Sequence, residues 1–129
     1  MKHMKSLIAG SMLIFAAQAL AGSACGQRVS DTEINECLAL ENERADARLE
    51  VTIESLLDEL ESQSGDNPHA LEARKLLIGA QNQWAEFRDT DCDARFAVNQ
   101  GGSVRLSAYR LCMIEHAQQR EQQLNRFFD

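Results

Sequence analysis

The chain has 129 residues, with 13 basic against 20 acidic side chains, a formal net charge of −7, and four cysteines. That length suits one domain, and the acidic balance makes nucleic acid and anionic membranes poor partners. Aromatic residues make up only 5% of the chain, so a core must rest mainly on aliphatic side chains.

The N-terminus reads as a targeting segment. Lys2, His3 and Lys5 form a basic start, an uncharged and mostly apolar run follows from Ser6 to Leu20, and Ala19-Leu20-Ala21 offers small residues where a signal peptidase cuts. These features predict a secretory signal peptide over residues 1–21, leaving a single helical domain over 22–129. The apolar run, about 15 residues, falls short of the roughly 20 that cross a bilayer, so no membrane span is expected after cleavage. Gly22-Ser23-Ala24 lacks the aliphatic residue expected ahead of a lipidated Cys25.

An even cysteine count in an exported chain predicts two disulfides among Cys25, Cys37, Cys92 and Cys112. The nearest two cysteines are 12 positions apart, with no histidine close in sequence, so neither a zinc site nor a Cys-x-x-Cys redox motif is expected. Without Lys2 and Lys5, 11 basic residues face 20 acidic ones. The excess is concentrated: Asp31 to Asp66 holds 12 acidic residues against Arg44 and Arg48 alone. From Asn67 onward the two signs balance. Such a segment is either a solvated helix face or a surface for a basic partner.

Three helices are expected, and no strand. Ser30-Asp31-Thr32-Glu33 has the pattern of a capping box. Ile34, Leu38, Ala45, Leu49, Ile53, Leu56 and Leu60 then recur at three- and four-residue steps. Ser64-Gly65 should end this helix, the glycine taking the left-handed position. Asn67-Pro68 supplies an N-cap and first residue for the second helix, on which Leu77, Ala80 or Gln81, Trp84, Phe87 or Arg88, and Asp91 or Cys92 share a side, and which fades near Val98. Asn99 to Gly102 form the next break, with Ser103 as cap of the third helix. Val104, Ala108, Leu111, Cys112, Ile114, Ala117, Leu124 and Phe127 supply that helix's apolar residues.

Short connections favour antiparallel neighbours, giving an all-α, up-down-up antiparallel three-helix bundle stapled by two disulfides. Its core would include Trp84, Phe87 and Phe96. In this bundle Cys37, Cys92 and Cys112 sit toward one end, and Cys25 reaches from the lead-in. The favoured pairing is Cys25–Cys92 with Cys37–Cys112, and the alternative is Cys37–Cys92 with Cys25–Cys112.

Catalytic patterns are missing from the sequence: no nucleophile elbow, phosphate-binding glycine loop or His-x-x-x-His occurs, and no cofactor is implied. The most specific string runs from Ala80 to Cys92. Gln81, Trp84 and Arg88 share a helical face there, and Asp89 can engage a neighbouring helix. Arg88 has a natural partner in Asp46, where Ala45-Asp46 interrupts the first apolar stripe, and Arg120 invites a similar packing role.

These residues resemble the family of the LprI-type lysozyme inhibitor N-terminal domain, found in exported bacterial proteins. The matching pattern comprises Cys25, Asn35-Glu36-Cys37, Ala45-Asp46 and Leu49, and then Ala80, Gln81, Trp84, Phe87, Arg88, Asp89 and Cys92. Gly101-Gly102-Ser103, Cys112, Arg120 and Leu124 complete it. The sequence departs from the family at Glu50, where Asn is usual, at Ile53, where Tyr is usual, and at Ala117, where Thr is usual. The resemblance implies a non-catalytic binder, with a basic lysozyme or another envelope protein as partner. Glu43, Glu50 and Glu54 on the acidic helix are candidate partner-binding residues, as are Gly101, Gly102 and Ser103 as a braced loop. The competing expectation is a structural or accessory periplasmic protein whose motif residues serve the bundle alone.

Overall fold

The computed structural model describes residues 25–28, 30–99 and 101–129, so the expected signal peptide lies outside the described residues. Three helices follow in order: α1 over Asp31–Ser62, α2 over Ala70–Val98 and α3 over Val104–Leu124, with a 3-10 turn at Gln63–Gly65. No strand occurs among the described residues. Pairings across the helices fix the directions. Asp46 meets Arg88 and Glu61 meets Arg74, so α1 and α2 are antiparallel. Asp91 meets His116 and Gln81 meets Arg120, so α2 and α3 are antiparallel, while Asn35–Ser107 and Arg48–Glu121 set α1 and α3 parallel. This is the expected up-down-up bundle.

The start of α1 follows the sequence. Ser30 is extended, its hydroxyl accepts from the Glu33 N–H at 3.2 Å, and the Glu33 carboxylate accepts from the Ser30 N–H at 3.2 Å. Two amides that helix geometry leaves unpaired are thereby satisfied, a contribution of about 1 kcal/mol. The other boundaries shift. The end of α1 tightens into the 3-10 turn, and Gly65 does not take a positive φ; among the described residues Gly101 alone does, at 100°, in the α2–α3 connection. Asn67 and Pro68 precede α2 instead of opening it. The Asn67 side chain accepts from the His69 N–H at 3.0 Å, a local turn that delays the helix to Ala70. Ser103 holds the cap position of α3 without a side-chain hydrogen bond.

The main core gathers Leu38, Ala45, Leu49, Leu56 and Leu60 of α1, Leu77 of α2, and Ile114, Ala117 and Leu124 of α3. Ile34, Ile53 and Trp84 pack against it, and Cys25 is buried within it. A second, smaller cluster joins Cys92, Cys112 and Met113, with Tyr109 beside it. Phe87 is not a core residue: it is 59% exposed, and its ring meets His116 edge-on with centroids 5.5 Å apart. Leu111, Val104 and Phe127 are likewise exposed, and Met113 takes the inward place on α3.

Both expected disulfide pairings are overturned. Cys25 joins Cys37 and Cys92 joins Cys112, each with Cα atoms 5.6 Å apart. The expectation placed cysteines by height along the bundle and neglected the direction each one faces. Asn35 of α1 turns toward α3, accepting a hydrogen bond from the Ser107 hydroxyl at 3.0 Å. Two helical steps rotate about 200°, so Cys37 faces the other way, toward the lead-in. There Arg28 N–H donates to the Cys25 carbonyl at 3.2 Å, a turn that folds Cys25 back onto α1. Cys92 and Cys112 meet across the α2–α3 seam, both fully buried.

Candidate functional site

The motif residues and the acidic helix meet along the α1–α2 seam. Asp46, Leu49, Glu50, Ile53 and Glu54 of α1 line one side of an open groove of about 440 Å³; Gln81, Trp84, Ala85 and Arg88 of α2 line the other. Arg88 organises it. Its Nη1 donates to Asp46 Oδ1 at 2.9 Å, its Nε donates to Asp89 Oδ1 at 3.3 Å, and its guanidinium lies 4.9 Å from the centre of the Trp84 ring. The Arg88 side chain is only 15% exposed, so the cation is held by a carboxylate of the facing helix and by the indole. The expected Arg88–Asp46 pair is therefore present. Asp89 differs from expectation: among the described residues it engages Arg88 on its own helix and no residue of a neighbouring one.

Arg120 of α3 completes the motif on the other side of α2. Its Nε donates to Gln81 Oε1 at 3.0 Å, and its Nη1 donates to Gln123 Oε1 at 3.2 Å. Burial draws its pKa below the ordinary arginine value. Gln81 thus joins two seams, lining the α1–α2 groove while its amide oxygen holds α3.

The acidic candidates belong to a longer array than the sequence reading named. At about 100° per residue, Glu36, Glu43, Glu50, Glu54, Asp58 and Glu61 fall within an arc of about 80° along roughly 38 Å of α1. All six are exposed. Among the described residues only Glu61 of this stripe has a basic partner, Arg74 at 3.4 Å. Other α1 acids are neutralised off the stripe, as with Glu41 by Arg44 at 2.6 Å.

Gly101, Gly102 and Ser103 are not brought to that groove. They line a separate recess of about 620 Å³ at the bundle end, with Asp31, Thr32 and Asn35 of α1 and Arg105 and Leu106 of α3. From Asn35 to Glu50 is about 22 Å along the helix, so the loop and the central glutamates are distinct surfaces. Beside that recess the first half of α3 is tied to α1: Arg110 donates to the Asn35 carbonyl, and Ser107 to its side chain.

One polar pair was not anticipated. His116 Nε2 lies 2.8 Å from Asp91 Oδ2 beside the Cys92–Cys112 cystine, and Cys112 Sγ is 3.7 Å from the same oxygen. The hydrogen bond from His116, and then the Arg95 cation, hold the Asp91 carboxyl below its ordinary value. A signal existed in the spacing Cys112-x-x-x-His116, which puts both side chains on one helix face one turn apart.

Among the described residues, no helix is long and apolar enough to cross a membrane. No match was found among curated proteins or among solved structures. The sequence model described as lysozyme inhibitor LprI does match, over residues 23–124, a stretch that takes in all four cysteines, the Arg88–Asp46 pair and Arg120. The chain belongs to the lysozyme inhibitor LprI family.

Proposed function

We propose that this protein is exported to the bacterial envelope, periplasmic or secreted, and there binds and inhibits a basic lysozyme through the acidic face of α1. The observation that carries this reading is the stripe of six exposed carboxylates, five of them without a basic partner among the described residues. A like-signed array of that length raises the encounter rate with a cationic protein and orients it. The groove beside it adds the half-buried Trp84, an amphipathic anchor of the kind that dominates binding energy at interfaces. No catalytic step and no cofactor enter this reading.

Lysozyme activity on peptidoglycan, measured with increasing amounts of the oxidised mature protein, tests it. The expected result is stoichiometric inhibition, stronger at low than at physiological salt. No inhibition of several basic lysozymes at either salt overturns it.

A second reading is favoured by a specific observation: Arg88, Asp46, Gln81 and Arg120 are all engaged in contacts between helices. On that reading the family motif specifies the bundle, and the protein is an accessory envelope component. It predicts that Arg88→Ala lowers stability and leaves the affinity for lysozyme, if any, untouched.

A further inference from the structure

The α2–α3 staple carries more chemistry than a disulfide requires. Asp91, Cys92, Cys112 and His116 each offer one ligand atom, and all four atoms lie within 4.8 Å of one another. We propose that these residues form a zinc site in the dithiol form of the protein, an alternative to the Cys92–Cys112 cystine.

Each donor is a zinc ligand, and two thiolates, one imidazole and one carboxylate make the four protein ligands of a closed tetrahedral site. With Zn–S near 2.3 Å and Zn–N or Zn–O near 2.0–2.1 Å, tetrahedral geometry puts ligand atoms about 3.3–3.8 Å apart. Two edges of that figure are close to formed. Asp91 Oδ2 stands 2.8 Å from His116 Nε2 and 3.7 Å from Cys112 Sγ. The sulfurs must separate by roughly 1.7 Å once their bond is broken, a motion within reach of side-chain rotation.

Reduction needs a dithiol, the class of reagent presented by Cys-x-x-Cys exchange proteins. Its two thiols become a disulfide, the Cys92–Cys112 bond breaks, and two thiols form. Zinc then displaces one proton from each thiol and leaves the carboxylate and neutral imidazole as the remaining ligands. The same site is open to zinc before the cystine first forms.

The surroundings favour occupancy. Cys92 and Cys112 are fully buried and the His116 side chain is 14% exposed, so water approaches the site mainly from the Asp91 side, where the carboxylate is 35% exposed. Two thiolates and a carboxylate around a divalent cation leave one negative charge. Arg95 Nη2, 3.7 Å from Asp91 Oδ2, is placed to balance it. The edge-on ring of Phe87 sits against the imidazole. Among the described residues no comparable donor set surrounds Cys25–Cys37.

The test is a cobalt titration of the mature chain carrying Cys25→Ser and Cys37→Ser, reduced with a phosphine and kept under inert gas, with helicity followed by circular dichroism. One equivalent of Co2+ should bring thiolate-to-cobalt charge-transfer absorption and the strong visible bands of a tetrahedral site, all bleached by one equivalent of Zn2+. The oxidised protein should show none. In the same background His116→Ala and Asp91→Asn should each weaken cobalt binding by at least about tenfold. If the reduced chain loses helicity, zinc should restore it when His116 is present and fail to when it is not. Absence of the charge-transfer bands overturns the proposal. So does an affinity that ignores His116 and Asp91, because that is thiolate binding by an open chain.

Discussion

The two seams of α2 are closed by different means. Toward α1 the contact is polar and partly wet: Arg88 reaches Asp46 across an open groove, over the face of Trp84. Toward α3 a covalent link accompanies the polar pairs His116–Asp91 and Arg120–Gln81, with Cys92 and Cys112 fully buried and Met113 packed beside them. Ion pairs such as Arg88–Asp46 and Arg74–Glu61 can break locally at modest cost, whereas a cystine keeps its two segments joined even when the chain unfolds. The difference makes α2–α3 the covalently joined pair of helices.

The sharpest way to break this contrast is to remove the covalent seam. Cys92→Ala with Cys112→Ala should lower unfolding stability by about 3 kcal/mol, the chain-entropy value for a closed loop of this size. Cys25→Ala with Cys37→Ala opens a loop of similar entropy, with 12 against 20 residues of separation. It should nonetheless cost less, because the bridge secures a lead-in that can detach while the three helices stay packed. Thermal unfolding followed by circular dichroism compares the two. Equal losses would show that the lead-in is integral to the cooperative unit.

The polar seam comes next. Arg88→Ala should cost about 1.5–2 kcal/mol, combining a charge-assisted hydrogen bond with the contact to the Trp84 face. Asp46→Ala should cost less, since its carboxylate is 41% exposed and already partly hydrated. A double-mutant cycle in urea isolates the coupling between the two. A coupling near zero would mean that Arg88 matters only through its packing on the indole.

Ser30→Ala is a control on sequence-encoded local structure, with an expected loss of about 1 kcal/mol. The capping box was legible because it is a contiguous signature whose partners are three residues apart. Arg88–Asp46 was legible for a related reason: a charged residue interrupting an apolar stripe must find a countercharge on the facing helix. The disulfides were not legible from the same logic. Position along a bundle follows from counting residues, but the direction that Cys37 faces depends on how α3 crosses α1, which Asn35 and Ser107 reveal only in three dimensions. Phe87 matched an apolar stripe and still points outward, because the small α2–α3 core is filled by the cystine and Met113. His116 and Asp91 lie 25 residues apart on different helices, and only the packing of α3 on α2 brings them together.

The smallest effect on stability should accompany the largest on binding. Glu43→Lys, Glu50→Lys and Glu54→Lys alter exposed side chains that form no ion pair among the described residues, so together they should shift stability by about 0.5 kcal/mol or less. The same three changes replace three negative charges with three positive ones along one face of α1. If that face recruits a basic lysozyme, inhibition should be lost first at low salt, where its field reaches farthest. The parent's own inhibition should weaken as ionic strength rises toward 0.15 M, where the screening length is near 8 Å. Unfolding curves that overlay the parent's, together with lost inhibition, separate recognition from folding. If the triple variant inhibits as well as the parent at both salts, the stripe serves solubility alone. Recognition would then have to fall to the Trp84 groove or to the recess beside Gly101, surfaces whose chemistry depends on shape more than on charge.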